Sequence, residues 1–188
     1  MIRAFLAFDI SEEIKKNLLN FVTPIRPQAK NIKWMEPKNY HVTLKFFGNI
    51  DEQKSVPAIE KIVKANLVDL LPIKLRCEGI GCFPKWERPK VIWADLKGEA
   101  QNLIALQNRL ENDFEKLGFP KEDREFTLHL TLARIKAHPK KPGWLSILKA
   151  SPQTQFGQLS VDHLTLYKSL LTKEGAVYTA LKSFSFST

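Results

Sequence analysis

His41-Val42-Thr43-Leu44 recurs as His129-Leu130-Thr131-Leu132, and these tetrapeptides hold the residue types best suited to chemistry in this chain. On a β-strand successive side chains alternate faces, so each histidine shares an outward face with the threonine two residues on, while Val42, Leu44, Leu130 and Leu132 turn inward. An imidazole titrates near neutrality, so one of a pair can accept a proton while the other, charged, donates one. Two threonine hydroxyls between them can donate hydrogen bonds to negative charge developing on a phosphate. Lys45 is expected to continue the first of these faces. A single copy would be explained equally well by a half-buried strand with a polar outer side; a second copy at a matching place requires more.

The places do match. A strand-like apolar run, Ala4 to Phe8, ends at Asp9, and a second, Val91 to Ala94, leads to Asp95. From Asp9 to His41 is 32 residues and from Asp95 to His129 is 34, with the two motifs 88 residues apart. Between each Asp and its motif lies a helix. Ser11 caps the first, with Glu12 and Glu13 in its first turn and Ile14, Leu18, Leu19 and Val22 as its apolar stripe. Leu103, Leu106, Leu110 and Phe114 form the stripe of its counterpart, which Gly118 ends. A further helix capped by Asp51, with Ile59, Ile62, Val63 and Leu67 inward, follows the first motif, and a shorter one around Trp144, Leu145 and Leu148 follows the second. The chain thus reads as an internal duplication.

We therefore expect an α+β fold of two pseudo-symmetric lobes in one domain spanning 1–188, each lobe an antiparallel sheet backed by helices. The first motif half covers about 1–75 and the second about 91–155. Phe156–Tyr167 and Ala176–Phe186 are read as two closing strands that complete the sheets. Gly79 to Pro89, rich in turn formers, aromatics and bases, is read as a long loop or loose hairpin between the halves, its Phe83–Arg88 part serving either as a base-stacking arm or as a lid. A pseudo-two-fold axis would set His41 and His129 face to face across one groove.

Composition bounds the chemistry. The chain has 188 residues, 44% of them hydrophobic, enough to bury a core without staples. A net charge of +9 favours phosphate-bearing partners. No apolar run is long enough to span a bilayer, and no leader precedes the first strand-like run; with only Cys77 and Cys82, a reducing cytoplasm is expected. These cysteines lack zinc-module spacing and read as buried or loop thiols. Two histidines without a carboxylate at ligand spacing make a poor metal site, and Gly79-x-Gly81 does not open a helix, so neither metal nor nucleotide cofactor is implied. His138 and His163 read as structural or solvent-exposed. The basic cluster Lys136, Lys140 and Lys141 reads as a solvated face able to guide an RNA backbone.

The paired His-x-Thr motifs in a chain of this length resemble the two-histidine phosphoesterase superfamily. Further blocks narrow the resemblance: Arg3 to Asp9, Asn39 to Gly48, the Gly79-Ile80-Gly81 and Phe83-Pro84 loop, Val91 to Ala94, His129 to Arg134, and the Lys168-Ser169 and Tyr178 run. Together they are similar to the RNA 2',3'-cyclic phosphodiesterases, also called the 2'-5' RNA ligase family. That resemblance implies metal-independent hydrolysis of an RNA or nucleoside 2',3'-cyclic phosphate to a 2'-phosphate. His41 would be the proton donor to the leaving 3'-oxygen and His129 the proton acceptor from water. Thr43, Thr131, Arg134 and Phe46 would bind substrate, the last two each five residues after a histidine. Strict alternation puts those two on the opposite, inward face, so they reach the groove only if the strand bulges, twists or ends. The alternatives are 2'-5' joining of RNA ends by the reverse reaction and a non-catalytic module that captures RNA 3' ends. No obligatory protein partner is implied, and a monomer is expected.

Overall fold

The computed structural model describes residues 1–29, 32–136, 143–173 and 175–186. Its two antiparallel sheets grow from the two apolar runs. β1 (Ile2–Asp9) is buried continuously from Ala4 to Phe8, as a strand covered on both faces must be. It lies inside a four-stranded sheet whose order is β3 (His41–Ile50), β1, β8 (His163–Leu171), β9 (Ala176–Ser185). The second run becomes β5 (Val91–Gly98), inside a five-stranded sheet ordered β2 (Ile32–Trp34), β6 (His129–Ile135), β5, β4 (Ile73–Phe83), β7 (Gln155–Val161). With β2 set aside, each sheet reads motif strand, Asp-bearing strand, then two more. The duplication extends to register: Asp9 pairs with His41 and Asp95 with His129.

Among the described residues four α-helices pack around the sheets: α1 (Glu12–Val22), α2 (Glu52–Asn66), α3 (Ala100–Lys116) and α4 (Gly143–Lys149). The Ser11 hydroxyl accepts from the Ile14 N–H at the start of α1, and the Asp51 carboxylate from the Gln53 and Lys54 N–H groups at the start of α2. Ile14, Leu18 and Val22 are buried on α1, and Leu103, Leu106, Leu110 and Phe114 on α3. Full burial of each such side chain is worth about 1.5–3 kcal/mol, which holds these faces in place more firmly than helix propensity could. The helices also tie the sheets together. Asn17 of α1 donates to the Phe156 carbonyl of β7, and Gln107 of α3 donates to the Leu44 carbonyl of β3.

Two sequence expectations are corrected. Residues 79–83 are not loop: β4 continues to Phe83, and only 84–90 turn back into β5. The glycines serve the sheet. Gly79, at φ +90°, sits at an irregularity where β4 changes register against both neighbours, and Gly81 lies directly under the Trp93 indole, where a Cβ would overlap the ring. The closing strands number three rather than two. The apparent run from Phe156 to Tyr167 breaks at Asp162, leaving β7 in the five-stranded sheet and β8 in the four-stranded one. Alternating side chains on either side of the break hide the crossing. The sequence reading of His138, Lys140 and Lys141 falls outside the described residues.

Gly81→Ala should therefore displace Trp93, at an overpacking cost of about 1–3 kcal/mol. Thermal unfolding checks this: an unchanged Tm would mean that the indole moves aside freely.

Candidate active site

Both motif strands carry an extra residue at the same place, and β3 carries a second one further on, at Phe47. On β3 Thr43 opposes Ala7 but Lys45 opposes Leu6, so Leu44 is skipped; on β6 Thr131 opposes Trp93 but Ala133 opposes Ile92, so Leu132 is skipped. A bulge of this kind reverses the parity of the residues that directly follow it. Residues 44 and 45 are consequently both buried, as are 132 and 133, and the residues at 46 and 134 turn outward. Phe46 is 47% exposed. His41, Thr43, Phe46, His129, Thr131 and Arg134 line one cavity of about 390 Å³ between the two motif strands. Simple alternation would have sent Phe46 and Arg134 into the core.

The same parity change corrects the expectation for Lys45. It does not extend the outward face but is 3% exposed on the core side, where its Nζ donates to Glu111 Oε2 (2.8 Å) and the Pro120 carbonyl (2.6 Å). Gln107 donates to both Glu111 Oε1 and the carbonyl of the skipped Leu44. One buried polar cluster thus ties the bulge of the first motif to α3 and to the segment leading into the second. The apolar stripe of α3 was legible in its leucines; Gln107 and Glu111 lie on the same face with no sequence signal that they meet Lys45.

Backbone carbonyls fix each imidazole. His41 Nδ1–H donates to the Asn39 carbonyl (2.8 Å) and His129 Nδ1–H to the Thr127 carbonyl (2.6 Å), in each case the residue two positions earlier. A carbonyl only accepts, so Nδ1 carries the hydrogen and Nε2 is the nitrogen left for chemistry. In neutral His41 that Nε2 accepts from the Thr43 hydroxyl at 3.1 Å. Aromatic walls complete the setting. Phe5 and Tyr178 pack on His41, and Phe83 and Trp93 stand edge-on to His129. Phe83 lines the cavity, whereas Trp86 of the same segment folds partly buried against the core.

Burial lowers both imidazoles below the ordinary histidine range by penalising the charged form. The lesser influences differ. The Asn39 hydrogen bond and the Asp9 carboxylate favour protonated His41, while at His129 the Thr127 bond favours the proton and the Arg134 guanidinium opposes it. The other residues singled out from the sequence lie elsewhere. His163 is partly exposed, and its Nδ1–H donates to the Asp162 carboxylate. Cys77 and Cys82 are free and buried, with thiols pushed up to about 12 and about 11 by desolvation. Among the described residues no three His, Cys, Asp or Glu side chains gather as a metal-holding group, and no helix is long and apolar enough to cross a membrane.

Two sheets of matched order, meeting at a groove lined from both sides by His-x-Thr strands, define a two-lobed α+β protein of the phosphoesterase type. A solved structure from Thermus thermophilus has this fold, with a TM-score of 0.82 at 29% identity over 98% of both chains. E. coli LigT, solved with 3'-AMP, matches at 0.80 over 100% of this chain and 99% of its own; its 23% identity speaks to fold alone. The profile of the 2'-5' RNA ligase superfamily matches residues 14–172, and the chain belongs to that superfamily. Among curated relatives, proteins named RNA 2',3'-cyclic phosphodiesterase from Methanocaldococcus jannaschii and Archaeoglobus fulgidus are 34% and 33% identical, each match covering 97% of this chain and 99% of the relative.

Lys45→Ala leaves Glu111 buried without its cation and should cost about 3–5 kcal/mol in chemical denaturation, whereas a Lys45→Met, Glu111→Leu pair should recover most of the loss. Because both folded imidazoles titrate below their unfolded value, the stability they contribute is present above about pH 6.5 and lost as pH falls through their folded values. A His41→Gln, His129→Gln double variant should therefore lose less Tm between pH 7 and pH 5 than the parent; equal losses would contradict burial as the cause.

Proposed function

We propose that this protein hydrolyses RNA or nucleoside 2',3'-cyclic phosphates to 2'-phosphates, using two histidines and no metal. The observation that carries this reading is the convergence of both His-x-Thr pairs, with Arg134 and Phe46, on one cavity. The names of the curated relatives supply the substrate class. In the reaction, His129 Nε2 takes a proton from water as its oxygen attacks phosphorus. The bond from phosphorus to the 3'-oxygen breaks, and that oxygen receives the proton from His41 Nε2–H. Thr43 and Thr131 hydroxyls and the Arg134 guanidinium take up the charge on the non-bridging oxygens. Phe46 offers a half-exposed ring against which a base can stack. Solvent then restores the proton to His41 and removes it from His129.

The net charge of +9 suits an RNA end as substrate. Joining of 2'-5' ends is the same proton transfers reversed, with an RNA hydroxyl in place of water, and no feature of the cavity favours it over hydrolysis.

His41→Ala and His129→Ala, each assayed on 2',3'-cyclic AMP, should lose at least about 100-fold in kcat/KM, the contribution typical of one positioned acid or base, with Tm nearly unchanged. Parent activity should survive a chelator. Full activity in either variant would overturn the assignment, and chelator-sensitive turnover restored by zinc would replace it with a metal mechanism.

A further inference from the structure

The two motifs are alike, yet the proposed reaction asks opposite things of them. Among the differences in their surroundings is one at a pair of corresponding aspartates. Asp9 and Asp95 each oppose a motif histidine across the sheet. The Asp9 carboxylate accepts the Tyr167 hydroxyl at both oxygens, 2.8 and 2.7 Å. It lines, with His41, Tyr167 and Tyr178, a second cavity of about 260 Å³ that adjoins the main groove at His41. Asp95 turns to its own backbone instead, accepting from the Leu96 N–H at 2.8 Å. Register explains the divergence. Tyr167 opposes Phe5, four residues before Asp9; four residues before Asp95 stands Val91, opposed by Phe83. The second lobe has phenylalanine where the first has tyrosine, and so lacks the hydroxyl that could hold Asp95 outward.

We propose that Asp9, held by Tyr167, is the positioning residue that reserves His41 for the acid role. A fixed carboxylate beside an imidazole favours its charged, proton-bearing form. The other lobe carries Arg134 near His129 at the place where the first has uncharged Phe46, which favours a neutral base. The remaining charged and titratable groups around His41 do not duplicate this arrangement. From the turn before β3, Lys38 and Tyr40 share the smaller cavity, and Tyr178 reaches it from β9. Across the main cavity stand His129 and Arg134 on β6, with Glu122, Arg124 and Glu125 on the segment before it. Lys45, on the same strand as His41, is neutralised by Glu111. Among the described residues, Asp9 alone is a carboxylate that both opposes His41 in register and is held in place by a neighbouring hydroxyl.

This inference rests on the proposed acid–base reading, and its test separates the two. Histidine ring resonances of the free protein would be titrated by NMR in the parent, Asp9→Asn, Tyr167→Phe and Asp95→Asn, alongside kcat/KM on 2',3'-cyclic AMP from pH 5 to 9. In Asp9→Asn the His41 titration and the alkaline limb of the pH profile should both move to lower pH, so activity is lost more at pH 8 than at pH 5.5, with His129 unmoved. Tyr167→Phe, which deletes one hydroxyl, should shift His41 in the same direction, and Asp95→Asn should leave it in place. An unmoved His41 in Asp9→Asn, or an equal shift in Asp95→Asn, would overturn the role of Asp9. An inactive parent would overturn the reaction while the ring titrations still reported on Asp9.

Discussion

The arrangement depends on the residue skipped directly after each motif threonine. A β-strand with a strict period of two would place His41, Thr43 and Lys45 on one face and bury Phe46; its counterpart would bury Arg134. By skipping Leu44 and Leu132, the strands give two consecutive residues to the core and return the next to the groove. The cost falls on whatever is turned inward. In the second motif that residue is Ala133, which fits without further demands. In the first it is Lys45, whose ammonium would be costly to bury alone; Glu111, the Pro120 carbonyl and the neighbouring Gln107 are the consequence. Groove shape and buried ion pair are thus one constraint seen from two sides.

That constraint also joins the lobes. Glu111 and Gln107 stand on α3 of the second half, and Gln107 bonds the carbonyl of the residue skipped in the first. The segment from Pro120 runs on to Thr127, whose carbonyl sets the His129 ring. Motif spacing across the groove is therefore held by packing and hydrogen bonds in the core, and the motif side chains are supported by strands rather than by free loops. Within this near-symmetric frame, the unequal surroundings of the two histidines suit the proposed reaction, in which water enters on one side of phosphorus and a ribose oxygen leaves on the other.

Much of this was legible in the chain. Duplicated tetrapeptides, Asp-ended apolar runs and 3.6-period stripes sufficed for the elements, the two-sheet α+β architecture and the pairing of motifs, because each rests on local periodicity. The rest depends on contacts between distant segments. Nothing in Thr-Leu-Lys-Phe or Thr-Leu-Ala-Arg announces a bulge, since register is set by the partner strand. Gly79 and Gly81 looked like loop formers, although one accommodates a register change and the other an indole. Asp162 divides two strands whose alternation continues across it. Asp9 appeared only as the end of a strand; its link to Tyr167, 158 residues away, exists only in the folded chain.

In the proposed reaction water enters opposite the 3'-oxygen, and that oxygen leaves. The most direct measurement is the product formed from a short RNA bearing a 2',3'-cyclic phosphate end, resolved by chromatography and by resistance to a 3'-phosphatase. A 2'-phosphate with a free 3'-hydroxyl is the predicted product, whereas a 3'-phosphate, or binding of the RNA without turnover, would contradict the account.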